Sequence, residues 1–372
     1  MCAGKGCAPL QDFVRCGKGG ACDGLVGYRG ERGLGAADVA VYARAMLRRL
    51  LPDRFLLTLI LTVVVATLLP ATGRALTVVG WISNAAIFLL FFLHGARLSR
   101  QAVVDGARRW RLQAAILAFG YGALPLIGMG ASGLLAGTLP PPLLLGLVFL
   151  AVLPTTVQSS IAYSSIGGGN VAASVIAAAV SNLLGVVMTP LLFALIAASA
   201  MGGVAFGGVG KVAMLLLLPF ALGQWLRPRV QPVVERHKAA AGYMDKLTIV
   251  LAVYVAFSGA VSEGLWSRVS GAELALVAGV ALALLLVALA GAWGVGGLIG
   301  LDRADRVSFL FAGAHKSLAT GAPMARILFP AATAGFVILP LLLYHQFQLM
   351  LSAVIAQRLA RGALQEAGVS LS

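Results

Sequence analysis

His315-Lys316-Ser317, with Thr320 one turn further on, is the group in this chain best suited to binding ions or anions. It sits inside an apolar run and is bracketed by Gly313 and by Gly321-Ala-Pro323. A cation at mid-bilayer depth costs about 2.5–3.5 kcal/mol on insertion scales, so its retention needs a reason. Glycine and proline around it would unwind a helix and expose its ends and free amides near the membrane centre. Lys316 has two functional readings. It is a fixed charge that binds an anionic substrate or stands in for a bound cation, or it titrates when buried and couples transport to protons. The bland reading, a lysine snorkelling to an interface, is disfavoured because Lys316 lies eleven residues past Asp305 and ten before Arg326. His315 either shares a proton relay or satisfies its own helix.

A second polar stretch, Pro154-Thr155-Thr156-Val157-Gln158-Ser159-Ser160, interrupts another apolar run. Proline frees a backbone carbonyl, and Ser and Thr hydroxyls either rebind such groups or coordinate a cation. Any one of these hydroxyls alone reads as helix-satisfying. Gly167-Gly-Gly-Asn170 then makes a turn, with Asn170 as N-cap of the next helix. Along that helix Ser174, Ala178, Ser181 and Asn182 share one face, and Ala177, Ser181 and Gly185 form a small-residue ridge for close helix approach.

The elements that hold these residues are membrane-spanning helices. Sixty per cent apolar residues and a mean hydropathy of +0.94 exclude a soluble globular domain. Apolar runs fall near 55–70, 76–94, 112–136, 143–166, 170–200, 208–226, 246–262, 273–300, 305–329 and 331–357, with breaks in the fourth and ninth. The expected fold is therefore an all-α polytopic protein of ten transmembrane helices, arranged as two inverted five-helix repeats over about 46–201 and 208–358. Residues 1–45 read as a disordered N-terminal extension carrying all four cysteines, and 359–372 as a cytoplasmic tail. The net charge of +15 would point to nucleic acid in a soluble chain. Here the basic residues cluster at span ends: with a cytoplasmic N-terminus, seventeen from Arg48 to Arg361 fall on the inner side. Only Arg74, Lys211, Arg268 and Arg326 fall outside. Both termini are thus expected in the cytoplasm, with the chain in a bacterial inner membrane and Arg326 reaching the headgroups.

The break sequences carry a family resemblance. Pro154 with its Ser/Thr run, Gly169-Asn170-Val171-Ala172, Val180-Ser181-Asn182-Leu-Leu-Gly185 and Thr189-Pro190-Leu191 resemble the bile acid:sodium symporter family. Lys316-Ser317-Leu318 with Thr320-Gly321-Ala-Pro323 resembles its sodium/bile acid cotransporter 7-like branch. The resemblance covers roughly residues 46–358. It implies that the first, second, sixth and seventh helices form a panel and the rest a core in which helices four and nine cross. It places sodium ligands at Ser159, Ser160 and Ser174, a weak site at best. The threonine position holds Ala178, the glutamate position Phe311, the glutamine position His315 and the next Lys316. A lysine a few ångströms away would repel sodium by several kcal/mol at an effective dielectric of about 20.

The expected function is secondary active transport of a small organic anion by alternating access, with two-sodium coupling altered or absent. The candidate binding residues are Thr155, Thr156, Gln158, Ser159, Ser160, Ser174, Ser181, Asn182, His315, Lys316, Ser317 and Thr320. No cofactor is expected; sodium or protons are the candidate coupling ions, and the lipid bilayer rather than nucleic acid is the partner. Two other classes remain open: a non-transporting regulator of ion homeostasis, and an intramembrane enzyme using Lys316 and Ser317 as a dyad.

Overall fold

The computed structural model describes residues 54–97, 110–201 and 213–366. The expected N-terminal extension and the loop charges Arg100, Arg108, Arg109 and Lys211 lie outside them. The described chain is helical throughout: α1 (Arg54–Leu68), α2 (Gly73–Arg97), α3 (Trp110–Leu134), α4 (Pro141–Ala151), α5 (Gln158–Ile166) and α6 (Val171–Met201). There follow α7 (Leu218–Arg236, entered through a π-turn at Ala213–Leu217), α8 (Lys238–Ser262), the single turn α9 (Leu265–Arg268) and α10 (Gly271–Leu298). The chain ends in α11 (Arg303–Ala314), α12 (Leu318–Leu328) and α13 (Ala331–Glu366).

Six of the described helices are long and apolar enough to cross a bilayer: α2, α3, α6, α8, α10 and α13. Two shorter apolar segments are Leu57–Leu68 and Pro141–Ala151. Leu68, Trp81, Leu134, Trp225 and Leu298 are each more than 70% exposed. That much outward apolar surface suits lipid, because soluble monomers rarely show large apolar patches. The protein is integral to the membrane.

Local sequence sets the helix starts. Ser270 and Glu273 form a reciprocal capping box on α10, and Asp302 accepts from Asp305 N (2.8 Å) to cap α11. Asn170 caps α6 by accepting from Ala173 N at 3.1 Å. Two helices run further than their apolar pattern. α7 continues to Arg236 through Pro228 and Pro232, and α13 reaches Glu366, well into the stretch read as a tail. A proline forfeits one intrahelical donor without forbidding the helix. Hydropathy sees only the lipid-facing part of each.

The helices pack as one continuous set, with α8 in contact with both sides. α7 packs along α2, and α8 packs on α1 and α2; α4 and α8 both pack on α13, and α11 lies against α10. The α2–α7 crossing is backbone on backbone. A Cβ on Gly95 would fall 2.1 Å from Phe220 O, and one on Gly223 would fall 2.0 Å from Phe92 O. Gly223→Leu is therefore predicted to separate these helices and cost about 1–3 kcal/mol or more through overpacking. A lowered Tm of the detergent-purified variant is the expected reading; an unchanged Tm would contradict the crossing.

Candidate functional site

Two helices stop and restart in the middle of the protein. α4 ends at Ala151 and α5 begins at Gln158; α11 ends at Ala314 and α12 begins at Leu318. Between α11 and α12, His315 and Ser317 are extended, with ψ of 144° and 108°. The two breaks touch directly, since Ser317 N donates to Pro154 O at 2.9 Å.

A non-helical stretch at this depth exposes carbonyls that lipid cannot satisfy. Each of six successive carbonyls has found a donor. Lys316 Nζ donates to Ala151 O (2.7 Å) and Leu153 O (2.8 Å), and the Thr189 hydroxyl donates to Val152 O (2.8 Å). Pro154 O takes the Ser317 amide, Thr155 O takes Asn182 Nδ2 at 2.8 Å, and Thr156 O takes the Ser160 hydroxyl. The third Lys316 proton goes to Gly120 O at 3.0 Å. That carbonyl is free because α3 makes a π-turn at Phe119–Ala123. Leu124 N–H bonds Phe119 O instead, and Pro125, the next residue, has no N–H. An ammonium has three donors, and Lys316 spends all three on backbone oxygens. The side chain is 2% exposed, and none of its acceptors is a carboxylate.

The second break is held from α13. Tyr344 OH donates to Ala314 O (2.7 Å), Gln348 Oε1 accepts from Lys316 N (2.7 Å), and Ser352 Oγ pairs with His315 Nε2 (2.8 Å). Sequence reasoning missed this stripe, although Tyr344, Gln348 and Ser352 recur every fourth residue along an apolar helix. It also missed the Gly120–Pro125 spacing. Asn182 ties the breaks together, donating to Thr155 O and Ala178 O (2.9 Å) and accepting from the Thr320 hydroxyl (2.9 Å).

A cavity of about 1090 Å³ lies beside the breaks, walled by α1, α2, α7 and α8 on one side and by α5, α6, α12 and α13 on the other. Thr156, Gln158, Ser159, Asn182, Ser317 and Thr320 line it. The remaining six candidate residues stand behind this wall. Ser181 Oγ accepts from Thr155 N (3.1 Å), and Thr155 Oγ1 is buried with no partner among the described residues. His315 Nδ1 meets the Thr156 and Ser159 hydroxyls, both at 3.3 Å. Ser174 donates to Ser164 (2.8 Å), which pairs with Ser308 (3.0 Å). Ser159 and Ser160 thus belong to one network and Ser174 to another. Lys316 points away from the cavity, and Ser317 Oγ bonds Thr320 (3.1 Å), so the two form no dyad. His94 and His345 also line the cavity. Its mouth carries the Arg97–Asp245 ion pair (2.8 Å) together with Glu235 and Lys246.

The helix ends are sorted by sign. α5 and α12 present their N-terminal turns to the cavity, where the first amides of a helix lack intrahelical acceptors and the dipole is positive. The C-terminal carbonyls of α4 carry the negative end, and Lys316 sits on them.

A family description, the SBF-like CPA transporter family, matches residues 53–361. The chain belongs to this family. A Pseudomonas aeruginosa protein, PA2026, is 46% identical over 319 residues, covering 84% of this chain and 94% of its own. YfeH of Escherichia coli (strain K12) is 40% identical over 309 residues, 83% of this chain and 93% of its own. The sodium/bile acid cotransporter 7 of Rattus norvegicus is 26% identical over 317 residues, 83% of this chain and 93% of its own. The resemblance read from the break motifs is therefore correct, and the functional class is a transporter of a small solute rather than an enzyme.

Where the family resemblance places a glutamate, this member has Phe311, fully buried. Its ring meets His315 at 5.6 Å and Tyr163 at 5.9 Å between centroids. Ala178 is likewise fully buried. Asn182→Ala would leave Thr155 O and the Thr320 hydroxyl short of partners, at about 1–3 kcal/mol per unsatisfied group. A drop in Tm larger than that of Ser159→Ala is the expected result; equal drops would contradict the role of Asn182 as the tie between breaks.

Proposed function

We propose that the chain is a secondary transporter of a small organic anion that works by alternating access, with the Lys316 ammonium in place of a bound coupling cation. The observation that carries this reading is the sorting of charge at the crossing. The two N-terminal turns of α5 and α12 face the cavity, and the one buried cation between the breaks is spent on carbonyls behind its wall. An anionic group in the cavity meets the first-turn amides at Gln158–Ser159 and Leu318–Ala319, an arrangement that favours anions.

The rest of the cavity is largely apolar, with Phe55, Leu59, Phe91, Val175, Leu183 and Phe220 on its walls. Its volume is at the upper end for small-molecule sites. Together these favour an amphipathic carboxylate or sulfated compound. α2 with α7, and α1 with α8, form the panel; the broken helices with α6 and α13 form the core. On this reading the chain makes ten crossings in two inverted five-helix repeats. With both termini cytoplasmic in a bacterial inner membrane, the Arg97 and Asp245 mouth opens inward.

Lys316 bonded to three carbonyls supplies the positive charge that a coupling ion would bring, and Phe311 removes the carboxylate that would hold one. Two-sodium coupling is therefore not part of the cycle. Uptake of a labelled amphipathic carboxylate into proteoliposomes tests this. Expected is uptake that survives replacement of sodium by choline; a strict stoichiometry of two sodium ions per anion would overturn the reading.

A further inference from the structure

Arg326, at the end of α12 remote from the cavity mouth, is the residue whose position in the sequence points to the headgroups. It is half-buried, and its guanidinium lies over Gly80 of α2, where a Cβ would come within 3.0 Å of Nη2. Arg326 Nε is fully buried and has no hydrogen-bond partner among the described residues. The group faces a niche of about 250 Å³ lined also by Leu76, Thr77, Trp81 and Asn84. Among the described residues no carboxylate lines this niche.

A guanidinium withdrawn from water without an anion is costly, and an unpaired charge is tolerated where something completes it. The planar donor fork of arginine matches phosphate and carboxylate oxygens two at a time. The Asn84 amide is a further donor on the same wall. Trp81, 72% exposed on the lipid-facing side of α2, stands at the rim, as interfacial tryptophans do at headgroup level.

We propose that this niche is a binding site for a phosphate-type oxyanion, supplied by the headgroup of an anionic phospholipid. The site is separate from the transport cavity and does not depend on the solute carried there. It bridges α2 and α12. A bound headgroup therefore clamps the seam opposite the cavity mouth and favours the cavity-open conformation.

The test is thermal unfolding of the detergent-purified full chain with phosphatidylglycerol, phosphatidylcholine or inorganic phosphate added. Phosphatidylglycerol is expected to raise the Tm of the wild type, and phosphatidylcholine to leave it unchanged. Arg326→Gln should lose most of that increment. Its lipid-free Tm should equal or exceed that of the wild type, because the buried Nε has no partner among the described residues to lose; a merely structural arginine would lower it. Gly80→Val crowds the niche while keeping the arginine and should also lose the increment. A response to inorganic phosphate that both variants lose would keep the site and assign it a soluble oxyanion. An increment retained in both variants, or an equal one from phosphatidylcholine, would overturn the proposal.

Discussion

A helix broken inside a bilayer leaves backbone carbonyls that nothing in the lipid can bond. The rest of this structure is arranged around that constraint. The break after α4 exposes six carbonyls in succession, and every one is met by a group from elsewhere in the core or by a neighbouring hydroxyl. Lys316 serves two of them and extends to a third on α3, so one side chain joins three helices. The π-turn that frees Gly120 has no other evident purpose. It puts an acceptor where the ammonium has a proton left to give.

The same arrangement divides the crossing into two electrostatic halves. The negative end of α4 faces inward onto a fixed cation, and the positive ends of α5 and α12 face the cavity. A mobile cation bound to those carbonyls would make the same contacts and leave when its site opened. A lysine cannot leave. On the proposed reading, the lysine makes a permanent part of the fold out of a site that would exchange with solution, and Phe311 closes the place of the missing carboxylate. On that reading, anion recognition at the amides of α5 and α12 does not depend on which cation sits behind them.

Much of this was legible in the residues. The positions of both breaks, the polar face of α6, the N-cap at Asn170 and the anomaly of Lys316 follow from rules of charge, proline and spacing that act locally. What was not legible is direction. Sequence places Lys316 at mid-depth but not on the far side of the wall from the cavity, because that depends on which carbonyls α3 and α4 leave free. The niche of Arg326 was not legible for the same reason: a terminal arginine has the reach to snorkel, and only the folded chain sets its guanidinium over Gly80 of α2. The Tyr344, Gln348 and Ser352 stripe had a readable period, but in an apolar helix such spacing looks like ordinary polar punctuation until a partner break is seen beside it.

The central claim is that Lys316 occupies the place of a cation. The direct measurement is the sodium dependence of stability in Lys316→Ala, with choline chloride as the ionic-strength control. Removing the ammonium leaves three carbonyl oxygens around a small void. The account predicts a variant with a lowered Tm that sodium raises and choline does not, beside a wild type indifferent to both. A wild type stabilised by sodium, or a variant that sodium leaves unchanged, would contradict it.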